Sequence, residues 1–270
     1  MIPSARPPAP APPPEPPRLW PVFAAYVLAF VGIVAFNLVA LSVVHELYPE
    51  LPEREMSLPA LLAGGFASAM ALLVTLLAAV RPFDPRRLRL LPGRETGPVL
   101  VLIIAGTLAL GQTLDSATVL AGLAERSAMA DIRRVLEGAA GGELFAAVLV
   151  IGPVAGAAEE IFFRGFMQTA LAAVWRPRTA VIVSALAFAL LHVEPVHAVL
   201  ALALGLWFGA VTERTGSVLP AAVAHVVNNV LYTLLTALAL SIDGVRPNLL
   251  AGALALAVFV AAVAVLRRRV

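Results

Sequence analysis

Three short stretches hold the residues able to do chemistry. AAEEIFFRGF contains Glu159, Glu160 and Arg164; FALLH contains Phe188 and His192; HVVNN contains His225 and Asn229. On a helix, Glu160 and Arg164 share a face with the acid first, an order that favours pairing. Glu159 is turned about 100° from Glu160 and has no charge partner on its own helix. Phe188 and His192 share one helical face, as do His225 and Asn229, whereas Asn228 points elsewhere. One carboxylate, two imidazoles and one carboxamide are the groups that amide hydrolysis requires. Glu or His can take a proton from water, and His plus Asn can donate to the oxyanion forming on the carbonyl. Glu159, His192 and His225 are also a zinc-ligand set, if a metal is bound, with water in the open position. The chain has no cysteine, which removes thiolate catalysis, disulfides and Cys-based metal sites together. No serine stands beside a His base in these stretches, so direct attack by water is expected, with no covalent intermediate.

The elements that must position these residues are membrane helices. Hydrophobic residues make up 60% of the chain and charged residues 13%, and the mean hydropathy is +0.92. A soluble domain carries roughly a quarter charged residues. The net charge of +2 gives no reason to expect nucleic acid. Apolar runs near the 20 or so residues needed for a span fall at about 21–44, 58–80, 97–114, 142–172, 178–194, 196–212, 217–240 and 247–266. The expected fold is therefore all-α, a polytopic bundle of about eight transmembrane helices. The fourth run is long for one crossing, and Gly152-Pro153 and Gly156 are expected to kink it. The fifth and sixth are short and meet at Glu194-Pro195. Segment 116–138 has apolar positions at helical spacing with charges between them, and reads as an amphipathic helix at the interface. Residues 1–18, dense in proline, read as a disordered tail.

Arginine placement sets the orientation. Arg81, Arg86, Arg87, Arg89 and Arg94 crowd the loop 81–95, Arg176 and Arg178 the turn after the fourth span, and Arg267 to Arg269 the end, whereas loop 45–57 is acidic. Eight spans with both termini cytoplasmic put these features on consistent sides, in what is expected to be a bacterial plasma membrane.

Hairpin arithmetic puts Glu159 and His192 at equal depth and His225 shallower, a gap that tilt and kinking would have to close. Glu159 lies about 16 residues before the turn at Trp175–Arg178 and His192 about 14 after it, so both sit roughly 20–24 Å from the turn at the helical rise. His225 is about nine residues into the seventh span, roughly 14 Å deep. Charges at such depth are costly and imply function by default.

EEIFFR, FALLH and HVVNN match, in order, the signatures EExxxR, FxxxH and HxxxN. Over about residues 140–240 the chain resembles the CAAX protease and bacteriocin-processing family of intramembrane endopeptidases, which includes the CAAX prenyl endopeptidase. The resemblance implies that Glu159, with His192, holds and activates the catalytic water. It implies that His225 and Asn229 stabilise the oxyanion, and that Glu160, Arg164 and Phe188 support them. The expected organisation is a tail over 1–18 and a bundle over 19–270 with its catalytic core near 140–240. The expected partners are the lipid bilayer and a membrane-associated peptide or protein substrate. His197 reads as an interfacial residue. The rivals are a proton-coupled transporter that uses the same Glu and His as a relay and a catalytically silent membrane scaffold.

Overall fold

The computed structural model describes residues 18–51, 54–125 and 127–269, so the expectation for 1–18 falls, Arg18 apart, outside the described residues. Nine principal helices and no strand occur among the described residues: α1 Trp20–Leu47, α2 Leu58–Ala79, α3 Gly97–Leu120, α4 Ala128–Leu136, α5 Gly141–Ala172, α6 Pro177–Leu190, α7 Pro195–Thr215, α8 Leu219–Ala237 and α9 Val245–Arg269. Helices satisfy every backbone group internally, which a bilayer demands. Proline stands in the first turn of α1, α2, α3, α6, α7 and α8. There its fixed φ suits the helix and its missing N–H costs nothing. Gly216, at φ +73, closes α7 in the left-handed conformation that glycine adopts without strain.

Seven of these helices are long and apolar enough to cross a membrane. The eighth apolar helix, α6, has 14 residues and reaches about 21 Å at the helical rise. About eight spans were expected; seven helices have the length of a span, and the remaining run is this shorter helix. α5 runs unbroken over 32 residues. The expected irregularity at Gly152-Pro153 takes the form of a π-helical stretch, Val150–Ala155, and a second follows at Ile161–Gln168. The widened turns let a proline sit inside the helix without severing it.

The amphipathic helix expected over 116–138 is shorter than the sequence pattern implied. Residues 116–120 continue α3, because Ser116 packs against Gly252 of α9 and the helix is stopped only at Gly122, φ +68. The interfacial helix is α4 alone, nine residues with Ala130 and Leu136 buried and an exposed Asp131–Arg134 ion pair.

The pairs α1–α2, α6–α7 and α3–α9 run antiparallel. Ala185 and Val181 of α6 face Gly205 and Gly209 of α7, and Ala262 of α9 lies against Gly106 of α3. Small residues at crossings let backbones approach, the usual basis of helix association in lipid. The arginine-rich loop is strapped across the turn between α7 and α8. Arg89 pairs with Glu213 at 2.7 Å, the Arg94 N–H donates to the Thr215 carbonyl, and the Val218 N–H donates to the Arg89 carbonyl. This loop, the turn at 173–176 and the end of α9 lie on one side of the bundle, since Leu88 packs on Gly165, Trp175 on Phe23, and α9 is antiparallel to α3.

Candidate active site

Glu160 is the hub of a buried charge cluster. Its Oε1 lies 3.0 Å from Arg164 Nη1 and 2.9 Å from His225 Nδ1, and the side chains of Glu160 and Arg164 are fully buried. The pairing expected from spacing along one helix is present. A carboxylate only accepts, so His225 Nδ1–H donates to Glu160 and its Nε2 faces the other way. That nitrogen lies 3.7 Å from Glu159 Oε2. His225 therefore stands between two carboxylates on α5: it is bonded to one and beyond hydrogen-bond distance of the other. The Glu159 side chain retains 24% of its exposure and is the accessible carboxylate of the two.

The Arg164 guanidinium is held by rings as well as by charge. Its Cζ lies 4.6 Å from the Phe188 centroid, 5.6 Å from Phe208 and 6.0 Å from Phe163, distances at which a cation is attracted to an aromatic face. Phe208 stacks on His225 at 4.8 Å and 22°, so ring packing and the bond to Glu160 together set the imidazole plane. The sequence reading missed Phe208, which lies outside the three stretches; the signal that could have found it is an aromatic between the two small residues Gly205 and Gly209.

Gly205 makes this packing possible. A Cβ there would lie 3.1 Å from Arg164 Nη2 and 3.2 Å from both Phe188 Cδ1 and Ala185 Cβ. Gly205→Val is expected to destabilise the fold by about 1–3 kcal/mol, the usual cost of overpacking, read as a lower unfolding temperature in detergent. An unchanged midpoint would show that α5, α6 and α7 do not meet this closely.

His192 is held on its own helix. Its Nδ1 lies 3.0 Å from the Phe188 carbonyl, one turn back on α6, and its ring meets His197 at a centroid distance of 4.3 Å. Among the described residues no hydrogen bond or ion pair joins it to Glu159. The cause is the end of α6 at Leu190: His192 sits in the turn that follows, turned back onto its own helix. His197, read from sequence as interfacial, packs against His192. Phe188 links the halves of the site, with its ring 4.8 Å from His192 and 6.3 Å from His225. Asn229 Nδ2 donates to the Ile151 carbonyl at 3.0 Å, tying α8 to the first π-helical stretch. One of its two amide protons is spent there. It is not hydrogen-bonded to His225.

The metal alternative is not assembled by this arrangement. Among the described residues no three His, Asp or Glu side chains are grouped as ligands; Nδ1 of His225 and of His192 is already bonded, which leaves Nε2 as the nitrogen either could offer. The residues as placed do not fit a zinc ion.

A family model described as type II CAAX prenyl endopeptidase Rce1-like matches residues 141–231. Residues 141–231 are Rce1-like. The matched stretch runs from the start of α5 into α8 and contains every residue of the cluster, while α1 to α4 and α9 lie outside it. No curated protein and no solved structure matches the chain. The Rce1-like segment is thus an α5–α8 core against which α3 and α9 on one side and α1 and α2 on the other are packed.

Proposed function

We propose that this chain is an intramembrane endopeptidase that hydrolyses a peptide bond of a membrane-associated protein or peptide by direct attack of water. The observation that carries the reading is the division of the two carboxylates. Glu160 is neutralised by Arg164 and His225, whereas Glu159 keeps an accessible carboxylate 3.7 Å from His225 Nε2. The Rce1-like match over the same residues supports it.

Glu159 acts as the general base. It removes a proton from a water molecule as the water oxygen bonds to the scissile carbonyl carbon. The carbonyl π electrons move to oxygen, and donors stabilise that oxyanion. The uncommitted amide proton of Asn229 is assigned this task; His192, whose Nδ1–H donates to the Phe188 carbonyl, presents Nε2 as an acceptor that helps Glu159 hold the attacking water. Glu159 then returns the proton to the departing amine nitrogen as the C–N bond breaks. His225, oriented by Glu160 and Phe208, steadies Glu159 through the change in charge.

The test is cleavage of membrane-anchored peptides by the purified protein in detergent or liposomes. Asn229→Ala is expected to lower kcat by about 10²–10³-fold, the usual effect of removing an oxyanion donor. If the wild type cleaves nothing while proton flux through liposomes depends on Glu159, the transporter reading replaces this one. The arginine bias favours both termini on the cytoplasmic side.

A further inference from the structure

The Phe208–His225 stack joins two helices, and one residue of the arginine-rich loop bonds to both of them. Phe208 lies on α7 and His225 on α8, so their 4.8 Å contact holds only while the two helices keep their spacing. Arg89 Nη1 donates to Glu213 Oε1 at 2.7 Å, near the end of α7. The Arg89 carbonyl accepts the Val218 N–H at 2.9 Å, at the cap of α8. Glu213 stands five residues beyond Phe208 and Val218 seven before His225, about 8 and 11 Å along the helices. Arg89 has φ +53, uncommon for a residue other than glycine, so the loop leaves an easy conformation at the residue that makes both bonds. Leu88, 2% exposed, seats the same loop on α5, where a Cβ on Gly165 would lie 3.0 Å from the Leu88 carbonyl oxygen.

The connection continues inward. Gln168, fully buried at the end of the second π-helical stretch of α5, gives one amide proton to Glu213 Oε1 at 2.9 Å and the other to the Gly209 carbonyl at 3.1 Å. Both partners only accept, so the amide nitrogen and not the oxygen faces them. A Cβ on Gly209 would stand 2.8 Å from Gln168 Oε1, so the approach needs glycine. Gln168 Oε1 itself is buried without a partner, a cost that an apolar residue would avoid; what the amide adds is its two donors. Gln168 lies four residues from Arg164 on α5, and Gly209 follows Phe208 on α7. The chain Arg89–Glu213–Gln168 therefore runs from the loop to the base of the charge cluster. It fixes α7 on α5 as Arg89 fixes α7 on α8. An ion pair as open as Arg89–Glu213, with side chains 23% and 20% exposed, adds little stability by itself, so its effect lies in orientation.

We propose that Arg89, Glu213 and Gln168 are positioning residues: they hold α7 against α5 and α8 so that Phe208 keeps the His225 imidazole in the plane that turns Nδ1 to Glu160 and Nε2 to Glu159. The arginine-rich loop thereby sets the direction of a histidine two helical turns above it. The consequence for cleavage rests on the endopeptidase reading; the consequence for the imidazole does not.

The chain has four histidines, so nitrogen-15 NMR of the histidine-labelled full chain in detergent reads their rings one by one. Arg89→Ala and Gln168→Leu are each expected to shift or broaden the His225 ring signals and to leave those of His45 in place. Arg87→Ala removes a charge from the same loop, at a side chain 78% exposed, and is expected to leave the His225 signals unchanged. Arg89→Lys keeps a cation on Glu213 and is expected to return them toward the wild-type positions. His225 signals that stay at those positions in either Arg89→Ala or Gln168→Leu overturn the proposal, whatever the unfolding midpoint does, and so does an equal shift in Arg87→Ala. Should one of the two variants fail to fold, the other decides. In cleavage, both are expected to lower kcat at least about tenfold with KM within about twofold, the pattern of a reacting group slightly misplaced. A displaced ring with unchanged kcat overturns the catalytic half. A wild type that cleaves no peptide overturns the endopeptidase reading, and the ring signals still decide what places His225.

Discussion

Glu159→Gln is expected to slow peptide cleavage by about 10²–10⁴-fold, the range supplied by a positioned general base, without loss of the fold. The amide has the size of the carboxyl but cannot accept the proton that water must lose. Its structural cost is small because Glu159 makes no hydrogen bond within 3.5 Å and its nearest ionic partner, His225 Nε2, lies at 3.7 Å. The unfolding midpoint in detergent should therefore stay near that of the wild type. Paired measurement of kcat and midpoint separates this from damage to the core. Cleavage that survives at more than a tenth of the wild-type rate would remove Glu159 from the mechanism and with it the whole water-attack scheme.

Arg164→Met is expected to destabilise the protein by about 3–5 kcal/mol, the cost of stranding a buried charge. The buried Glu160 carboxylate would keep only the His225 contact at 2.9 Å. The Phe163, Phe188 and Phe208 rings would also lose the cation they surround. The second half of the cycle is Glu160→Leu with Arg164→Met. An apolar replacement of a buried pair is often neutral in stability, so the double variant should regain most of the midpoint lost by the single one. Activity should not return with it, because His225 would have lost the acceptor that fixes its Nδ1. Stability that falls further in the double variant than in the single would show that Glu160 is held by something other than Arg164. Activity that recovers along with stability would show that His225 needs no anchor. Arg164→Lys provides a foldable intermediate: it keeps the charge and loses the planar guanidinium that lies among the rings.

Both expectations depend on the same separation of roles, and the two carboxylates differ in how much of that separation could be read from the chain. Spacing along one helix was enough for Glu160 and Arg164, because four residues on a helix bring side chains together wherever the helix is placed. Helix starts were equally legible, since proline marks the first turn of six of them, and apolar runs located the spans to within a few residues. The depth of Glu159 and His192 followed from the rise per residue and the position of one arginine-flanked turn.

What the sequence could not supply was rotation. The position of His225 between Glu159 and Glu160 depends on how α8 is turned against α5. Two π-helical stretches in α5 shift the phase of every side chain beyond them by more than a 3.6-residue period predicts. Phe208 lies far in sequence from the motif residues and reaches His225 only because Gly205 and Gly209 let α7 approach α5 and α6. The direction of the His192 ring was likewise beyond the sequence, for a local reason. An apolar run continues to Leu191 in the sequence, but α6 stops at Leu190, and the histidine falls in a turn that bends it back toward Phe188 and His197. The chain by itself determined a membrane bundle with a specific set of ionisable residues in its apolar segments and the Glu160–Arg164 pair that sets Glu159 apart, because hydropathy and helical spacing are properties of single segments. Only the tertiary structure decided where His225 and Phe208 stand relative to the two carboxylates, because that depends on contacts between helices.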